Sequence, residues 1–167
     1  ECERIDIVDI APLKEGLTNL SFRFGCLGGL YVYRHPGAGT AEIINRESEA
    51  YSQEVAKRLG IDDTFIYEDP RKGWKLSRYL PDCVDFDYHN PSHVERGLAL
   101  ARRLHGSGEK SEWYFDVYEK AQEIVVLLGE RAYPSFPDFD ELSDRAHALD
   151  RFVKSDRVEP CLCHNDF

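Results

Sequence analysis

The residues best suited to chemistry stand in one short run near the end of the chain, Cys161-Leu162-Cys163-His164-Asn165-Asp166-Phe167. Two cysteines followed by a histidine suggest zinc, but the C-x-C-H spacing differs from the usual C-x₂₋₄-C pairs and no second Cys/His pair follows. The alternative is a His-Asn-Asp catalytic loop, in which a short apolar strand leads to an aspartate that accepts a hydroxyl proton. An ordinary surface loop is the third possibility.

A second candidate is the segment Glu15-Gly16-Leu17-Thr18-Asn19-Leu20-Ser21, which lies between two predicted strands. Its glycine, hydroxyl and amide residues supply a flexible turn with free backbone N–H groups, as a loop that covers phosphates requires. A plain hairpin turn has the same composition, so the segment alone does not decide between the two.

Two charged residues interrupt apolar faces. Glu47 falls within an apolar stripe on a helix predicted over residues 41–59, and Arg34 continues the face of Leu30 and Val32 on a predicted strand. A buried charge is costly unless it is paired. We therefore predict an Arg34–Glu47 ion pair, although a helix-edge glutamate bonded to water fits the pattern equally well.

The elements that must position these residues change character along the chain. Residues 1–80 alternate with period two, which predicts a sheet with one helix, capped by Thr40 and Gly60. A hairpin is expected over residues 20–34, and a second strand pair over 64–68 and 74–80. Residues 90–155 have helical periodicity, with a capping box at Ser92 and Glu95. The predicted fold class is α+β with two lobes, residues 1–80 and 81–167, and a cleft at their joint.

Composition excludes several classes of function. The chain of 167 residues carries a formal charge of −10 and has a pI near 5.0, which disfavours nucleic acid and anionic membranes and suits a cationic small molecule. No apolar run is long enough to span a bilayer. Five scattered cysteines form no disulfide framework, so a cytoplasmic location is expected. The absence of methionine suggests that the sequence is part of a longer protein.

Several stretches, in this order, resemble the N-terminal part of choline kinases, within the larger group of choline/ethanolamine kinases and aminoglycoside phosphotransferases. The most specific are Arg34-His35-Pro36-Gly37-Ala38-Gly39-Thr40 and His164-Asn165-Asp166, and the weaker ones are residues 16–21, 44–49 and 104–107. The resemblance covers nearly the whole chain. It implies a protein-kinase-like fold and ATP-dependent phosphorylation of a small amino-alcohol, with choline as the first choice.

The resemblance also implies roles for individual residues. Asp166 would be the catalytic base, held by His164 and Asn165. Residues that would bind ATP are Gly16, Thr18, Asn19 and Ser21 over the phosphates, Arg34 and Glu47 as the strand–helix pair, Val32 against the adenine, and Ser77, Tyr79 and Leu80 in the hinge. Arg34 replaces the lysine of the general kinase pattern. The family's Mg²⁺ ligands would follow Asp166 beyond residue 167, so we expect this segment alone to be inactive.

Two alternatives remain open. The protein could phosphorylate ethanolamine, an aminoglycoside or another small molecule, or it could be a kinase relative that binds nucleotide without catalysis. A choline site would need aromatic faces for the quaternary ammonium. Trp113, Tyr114, Phe115 and Tyr118 are eligible by type, and helix packing explains them equally well.

Overall fold

The computed structural model describes residues 6–13, 19–130 and 136–163. Five strands come first: β1 (Ile7–Leu13), β2 (Leu20–Cys26), β3 (Gly29–His35), β4 (Phe65–Glu68) and β5 (Lys75–Arg78). Helix α1 (Arg46–Arg58) lies between β3 and β4 in sequence, after a short 3₁₀ turn (Thr40–Glu42). Helices α2 (Pro91–His105), α3 (Val117–Glu130) and α4 (Phe139–Ser155) follow.

The strands form one antiparallel sheet in the order β1-β2-β3-β5-β4. The β2–β3 hairpin pairs Leu20 with His35 through to Cys26 with Gly29, which confirms the predicted hairpin. Leu27 and Gly28 connect the two strands, both with positive φ (50° and 78°). This two-residue turn matches the right-handed twist of the strands, because both central residues are left-handed.

The two faces of the sheet differ in chemistry. One face carries rings in contact across strands, including Phe22 with Tyr33 (centroids 5.0 Å apart) and Tyr33 with Trp74 (5.9 Å). The other face receives α1, whose Val55 is buried together with Phe65 of β4. Period-two alternation along each strand produces this separation, so the polar residues of the strands are concentrated beside α1.

Helix α1 begins later than the sequence predicts. The helix expected over residues 41–59 is divided into the 3₁₀ turn and α1, which Asn45 caps by accepting a hydrogen bond from the Ser48 amide at 3.0 Å. Asn45 is a stronger N-cap than the predicted Thr40, because its side chain reaches the third residue beyond it. The later start leaves Ile44, a member of the predicted apolar stripe, outside the helix.

The later helices agree with the sequence prediction in number and approximate position. The cap of α2 differs: the Asn90 side chain accepts a hydrogen bond from the Ser92 amide at 3.0 Å, and Pro91 occupies the first turn. Ser92 is therefore inside the helix and is not its cap. Proline is favourable in a first turn because no amide donor is needed there.

The chain divides into two compact units, of which the second is Glu112–Pro160 and contains α3 and α4. The first contains the sheet, α1 and α2, together with Cys161–Cys163. Within it, Arg103 of α2 donates hydrogen bonds to the carbonyls of Leu59 and Gly60, both at 3.3 Å. The division at residue 80 expected from the sequence is a prediction about lobes and stays one.

Cysteine chemistry differs along the chain. Cys26 at the end of β2 is disulfide-bonded, whereas Cys83, Cys161 and Cys163 carry free thiols. The cysteine count predicted no disulfide framework, and the disulfide at Cys26 corrects that expectation at one position.

Among the described residues, no helix is both long enough and apolar enough to span a membrane.

Candidate functional site

A row of polar side chains crosses the α1 face of the sheet. Ser21 pairs with Arg34, Arg34 with Lys75, and Lys75 with Glu68 in the strand register. Directly opposed residues in an antiparallel sheet lie on the same face. In the next row, Val32 pairs with Ser77. Four residues predicted from the sequence, Ser21, Val32, Arg34 and Ser77, therefore occupy two adjacent rows of one face.

Glu49 of α1 is the centre of charge at this face. Its Oε2 accepts from Arg46 at 2.6 Å, and its Oε1 lies 3.3 Å from Lys75 Nζ and 3.7 Å from Arg34 Nη2. Burial alone would raise the pKa of Glu49, but the Arg46 hydrogen bond and the charges of Lys75 and Arg34 lower it below its ordinary value. Glu49 is therefore ionised, and three cations surround one carboxylate.

The predicted Arg34–Glu47 ion pair is wrong, because Arg34 pairs with Glu49. Glu47 is exposed in the first turn of α1. Two residues along an α-helix correspond to a rotation of about 200°, so Glu47 and Glu49 point to nearly opposite sides. The prediction of a buried helix carboxylate opposite Arg34 was correct in kind and wrong by two residues.

The glycine-rich segment after β3 is held in place by Arg46. Buried Thr40 donates its hydroxyl to the Gly37 carbonyl at 2.8 Å and accepts from Arg46 Nη2 at 2.7 Å. Gly73 in the β4–β5 turn has φ +72°, and a Cβ there would lie 2.9 Å from Arg46 Nε. Arg46 therefore connects α1, the segment after β3 and the β4–β5 turn through one guanidinium.

Glu68 is the second carboxyl of the site and differs sharply from Glu49. It is 4% exposed, and neither of its carboxyl oxygens has a hydrogen-bond partner within the described residues. Burial, and after it the negative charge of Glu49, raise the pKa of Glu68 to about 7. Near neutral pH this side chain therefore exchanges a proton.

The remaining predicted nucleotide residues are placed as follows. With its amide oriented so that the oxygen faces the guanidinium, Asn19 accepts from Arg34 Nε at 3.1 Å and Nη2 at 2.8 Å. The Tyr79 amide already donates to the Leu30 carbonyl at 2.9 Å, and Leu80 is exposed. Tyr79 therefore offers the hinge no free amide, although its carbonyl could still serve. Gly16, Thr18, His164, Asn165 and Asp166 lie outside the described residues.

Sequence reasoning missed Arg46, Glu49, Lys75 and Glu68. Each leaves a signal that could have been used. Arg46 and Glu49 have i,i+3 spacing, which places two side chains on one side of a helix. Lys75 shares the period-two face of Ser77, and Glu68 ends an otherwise apolar strand. The stripe that placed Glu47 included Ile44, which lies before the first residue of α1.

The aromatic candidates for a cationic substrate lie in the second unit. Tyr114 and Phe115 are exposed, whereas Tyr118 stacks on His147 with centroids 5.3 Å apart. Packing between α3 and α4 therefore accounts for Tyr118.

In the first unit, the thiols of Cys161 and Cys163 are 3.8 Å apart. Among the described residues, no group of three or more His, Cys, Asp or Glu side chains is placed to hold a metal ion.

No family model matches the chain. The protein LicA of Haemophilus influenzae is 28% identical over 156 residues, which cover 90% of this chain and 45% of that protein. The chain thus spans about half the length of the curated relatives it matches.

Solved structures show that the fold is kinase-like. Choline kinase LicA from Streptococcus pneumoniae superimposes with a TM-score of 0.81 at 18% identity, over 98% of this chain and 57% of that one. A LicA structure in complex with AMP gives 0.80 at 21% identity, over 96% of this chain and 55% of that one.

A choline/ethanolamine kinase family protein from Mesorhizobium loti gives a TM-score of 0.70 at 25% identity, over 95% of this chain and 51% of that one. The motifs of the sequence indicated choline/ethanolamine kinases, and relatives of that family are found. The resemblance to choline/ethanolamine kinases is therefore confirmed, as is the kinase-like α+β fold.

Proposed function

We propose that the protein containing this chain is an ATP-dependent kinase that phosphorylates the hydroxyl of a small amino-alcohol, with choline as the preferred substrate. The observation that carries the proposal is Arg34 on the central strand β3, held between Asn19 on one side and Glu49 of α1 on the other. Kinases position the nucleotide phosphates with a strand cation paired to a helix carboxylate.

The charge of the site supports a polyphosphate ligand. Arg34, Arg46 and Lys75 surround Glu49, which leaves two positive charges in excess when Glu68 holds a proton. Only Arg34 is substantially exposed among the three, with 34% of its side chain accessible against 11% for the others. Arg34 is therefore the cation that would contact phosphate, and Arg46 and Lys75 would hold Glu49 in position.

ATP is the expected cosubstrate, and a relative of the same fold has been solved with AMP. Mg²⁺ would neutralise the phosphates when ATP is bound, but no described residue is assigned to it. In this proposal Asp166 accepts the proton of the substrate hydroxyl, with His164 and Asn165 holding its loop. We place the protein in the cytoplasm, although a disulfide at Cys26 is unusual for that compartment.

The substrate proposal rests on the charge of the chain and on the names of its relatives. A net charge of −10 attracts a cationic alcohol. One relative is named a choline kinase and another a choline/ethanolamine kinase family protein. Choline and ethanolamine are both cations, so charge does not separate them, and choline is preferred because of the LicA relatives.

A substrate screen tests the proposal. The full-length protein is incubated with ATP and Mg²⁺ together with choline, ethanolamine or an aminoglycoside, and both ADP and the phosphorylated product are measured. We expect the highest kcat/KM with choline. If no acceptor supports the consumption of ATP, the kinase assignment is wrong. If an aminoglycoside is preferred, the amino-alcohol assignment is wrong.

Two arginine variants make the screen specific to the site. Arg34→Met should raise the KM for ATP about tenfold or more, since a charge-assisted contact to phosphate is lost. Arg78→Met is the matched control, because Arg78 is an exposed arginine of β5 whose guanidinium pairs with Asp63. Equal effects of the two substitutions would show that Arg34 has no special relation to the nucleotide.

A further inference from the structure

The carboxyl of Glu68 is buried beside the carboxylate of Glu49 and the ammonium of Lys75. It is the last residue of β4 and is paired in register with Lys75 of β5. Nevertheless, the Lys75 ammonium lies on Glu49, and both Glu68 oxygens are without a hydrogen bond in the described part of the chain. An unpaired buried carboxylate is costly, so the protonated form is favoured in this arrangement.

The groups that face Glu68 come from three elements. Glu49 and Arg46 lie on α1, Lys75 lies on β5, and Arg34 follows one strand further, on β3. Lys75 and Arg34 share one atom, since both lie near Oε1 of Glu49, at 3.3 and 3.7 Å. Arg46 holds the other oxygen, Oε2. A change in the position of Lys75 would therefore alter the hold on Arg34.

We propose that Glu68 is a positioning residue whose protonation state decides whether Lys75 or Arg34 occupies Oε1 of Glu49. When Glu68 is protonated, Lys75 stays on Glu49 and Arg34 is available to phosphate. When Glu68 releases its proton to solvent, Lys75 turns toward the new carboxylate and Arg34 closes on Oε1. The consequence for nucleotide binding rests on the proposed function; the exchange of partners does not.

The pKa of Glu68 sets the pH of this exchange, and the charge of the site sets its effect on ATP binding. Burial and the neighbouring Glu49 raise the pKa of Glu68 to about 7. Ionisation also lowers the excess of positive charge at the site from two to one, since Glu68 joins Glu49 against three cations. The closing of Arg34 on Glu49 and the loss of one excess positive charge both weaken the binding of phosphate. ATP should therefore bind more weakly as pH rises through 7.

The test is the pH dependence of the KM for ATP between pH 6 and 8.5 in the full-length protein. We expect the KM to rise about tenfold in the wild type, since one charge is added within several ångströms of the phosphates. Glu68→Gln, which imitates the protonated acid, should keep the low KM throughout. Because ATP ionises equally in both assays, the difference between the two profiles isolates Glu68.

Two further variants sharpen the result. Glu54→Gln removes an exposed carboxyl of α1 and should follow the wild-type profile. Lys75→Met should give a KM that is already high at pH 6 and rises by less than in the wild type, because Arg34 then holds Oε1 at every pH and only the added charge of Glu68 remains. A Glu68→Gln profile that matches the wild type, or a Lys75→Met profile that retains the wild-type pH dependence, would overturn the proposal.

A direct titration separates this proposal from the proposed function. Carbon-13 NMR of the side-chain carboxyls follows Glu68 without any assay of activity, and Glu68→Gln assigns its signal. A midpoint near 7 supports the exchange even if the protein fails to use ATP. A midpoint near the ordinary value of 4.5 overturns it even if the kinase assignment is correct.

Discussion

At the scale of single residues, the site depends on one carboxylate that satisfies three cations. Glu49 is largely buried, with 18% of its side chain exposed, and contacts Arg34, Arg46 and Lys75. Arg46 and Lys75 are themselves 11% exposed, so neither can turn fully to water. Removing one partner from a buried charge network leaves the others unpaired, and that cost exceeds the value of any single pair.

Glu49→Gln should therefore destabilise the protein, while Glu47→Gln should not. We expect a loss of about 3 kcal/mol in the free energy of unfolding for Glu49→Gln, because three partly buried cations lose their counter-charge. Glu47 is exposed in the first turn of α1, where a carboxylate contributes less than about 1 kcal/mol through the helix dipole. Urea denaturation at neutral pH measures both.

The two glutamates form a matched pair, since they lie on the same helix and undergo the same chemical change. A larger loss for Glu47→Gln than for Glu49→Gln would restore the pairing predicted from sequence and contradict the structure. Equal and small losses would mean that the three cations are sufficiently hydrated without Glu49.

At the scale of elements, the β4–β5 turn and the loop after β3 both pack against the guanidinium of Arg46. The β4–β5 turn approaches Arg46 so closely that Gly73 leaves no room for a side chain, with Pro36 of the loop after β3 also within 3.2 Å of a Cβ placed there. Arg46 cannot move aside freely, because Glu49 and Thr40 hold both ends of its fork. The three segments therefore have to move together.

Gly73→Ala should cost about 1–3 kcal/mol of stability, for two reasons that act together. The residue has φ +72°, a conformation that a residue with a Cβ adopts only with strain. The new methyl group would also meet Arg46 Nε at 2.9 Å. Thermal unfolding of the two proteins measures the loss.

Gly28→Ala is the control for this substitution. Gly28 has a similar φ of +78° but nothing within 4 Å of a Cβ built there, so it reports the conformational strain alone. The difference between the two variants is the steric part at Arg46. If Gly73→Ala costs no more than Gly28→Ala, the close approach to Arg46 is relieved by small movements and does not constrain the turn.

At the scale of the whole chain, local patterns predicted the elements well and contacts between elements less well. The β2–β3 hairpin follows from alternation and from the turn residue Gly28, which are properties of neighbouring residues. The choice of Glu49 over Glu47 depends on how α1 packs on the sheet, and part of the stripe that placed Glu47 lies before the Asn45 cap. Glu68 ends an apolar strand, but its burial results from α1 packing on β4, which this local signal does not reveal.

The proposed role of Asp166 as the catalytic base has to be tested in the full-length protein. Phosphoryl transfer needs little covalent help, and most of the rate comes from positioning and charge neutralisation. A base that accepts the hydroxyl proton contributes about 10²–10⁴-fold. Asparagine keeps the size of aspartate and one acceptor oxygen but cannot take the proton, so it removes this contribution with little change in packing.

Asp166→Asn in the full-length protein should therefore lower kcat with choline by about 10²–10⁴-fold, while the KM for ATP changes little. Steady-state kinetics at saturating choline, with ATP varied, gives both constants. Asp144→Asn serves as the control because Asp144 is an exposed aspartate of α4, and its kcat should equal that of the wild type. Near-normal turnover of Asp166→Asn with choline and ethanolamine would identify the His-Asn-Asp run as a structural loop. A rise in the KM for ATP with kcat unchanged would instead assign Asp166 to nucleotide binding.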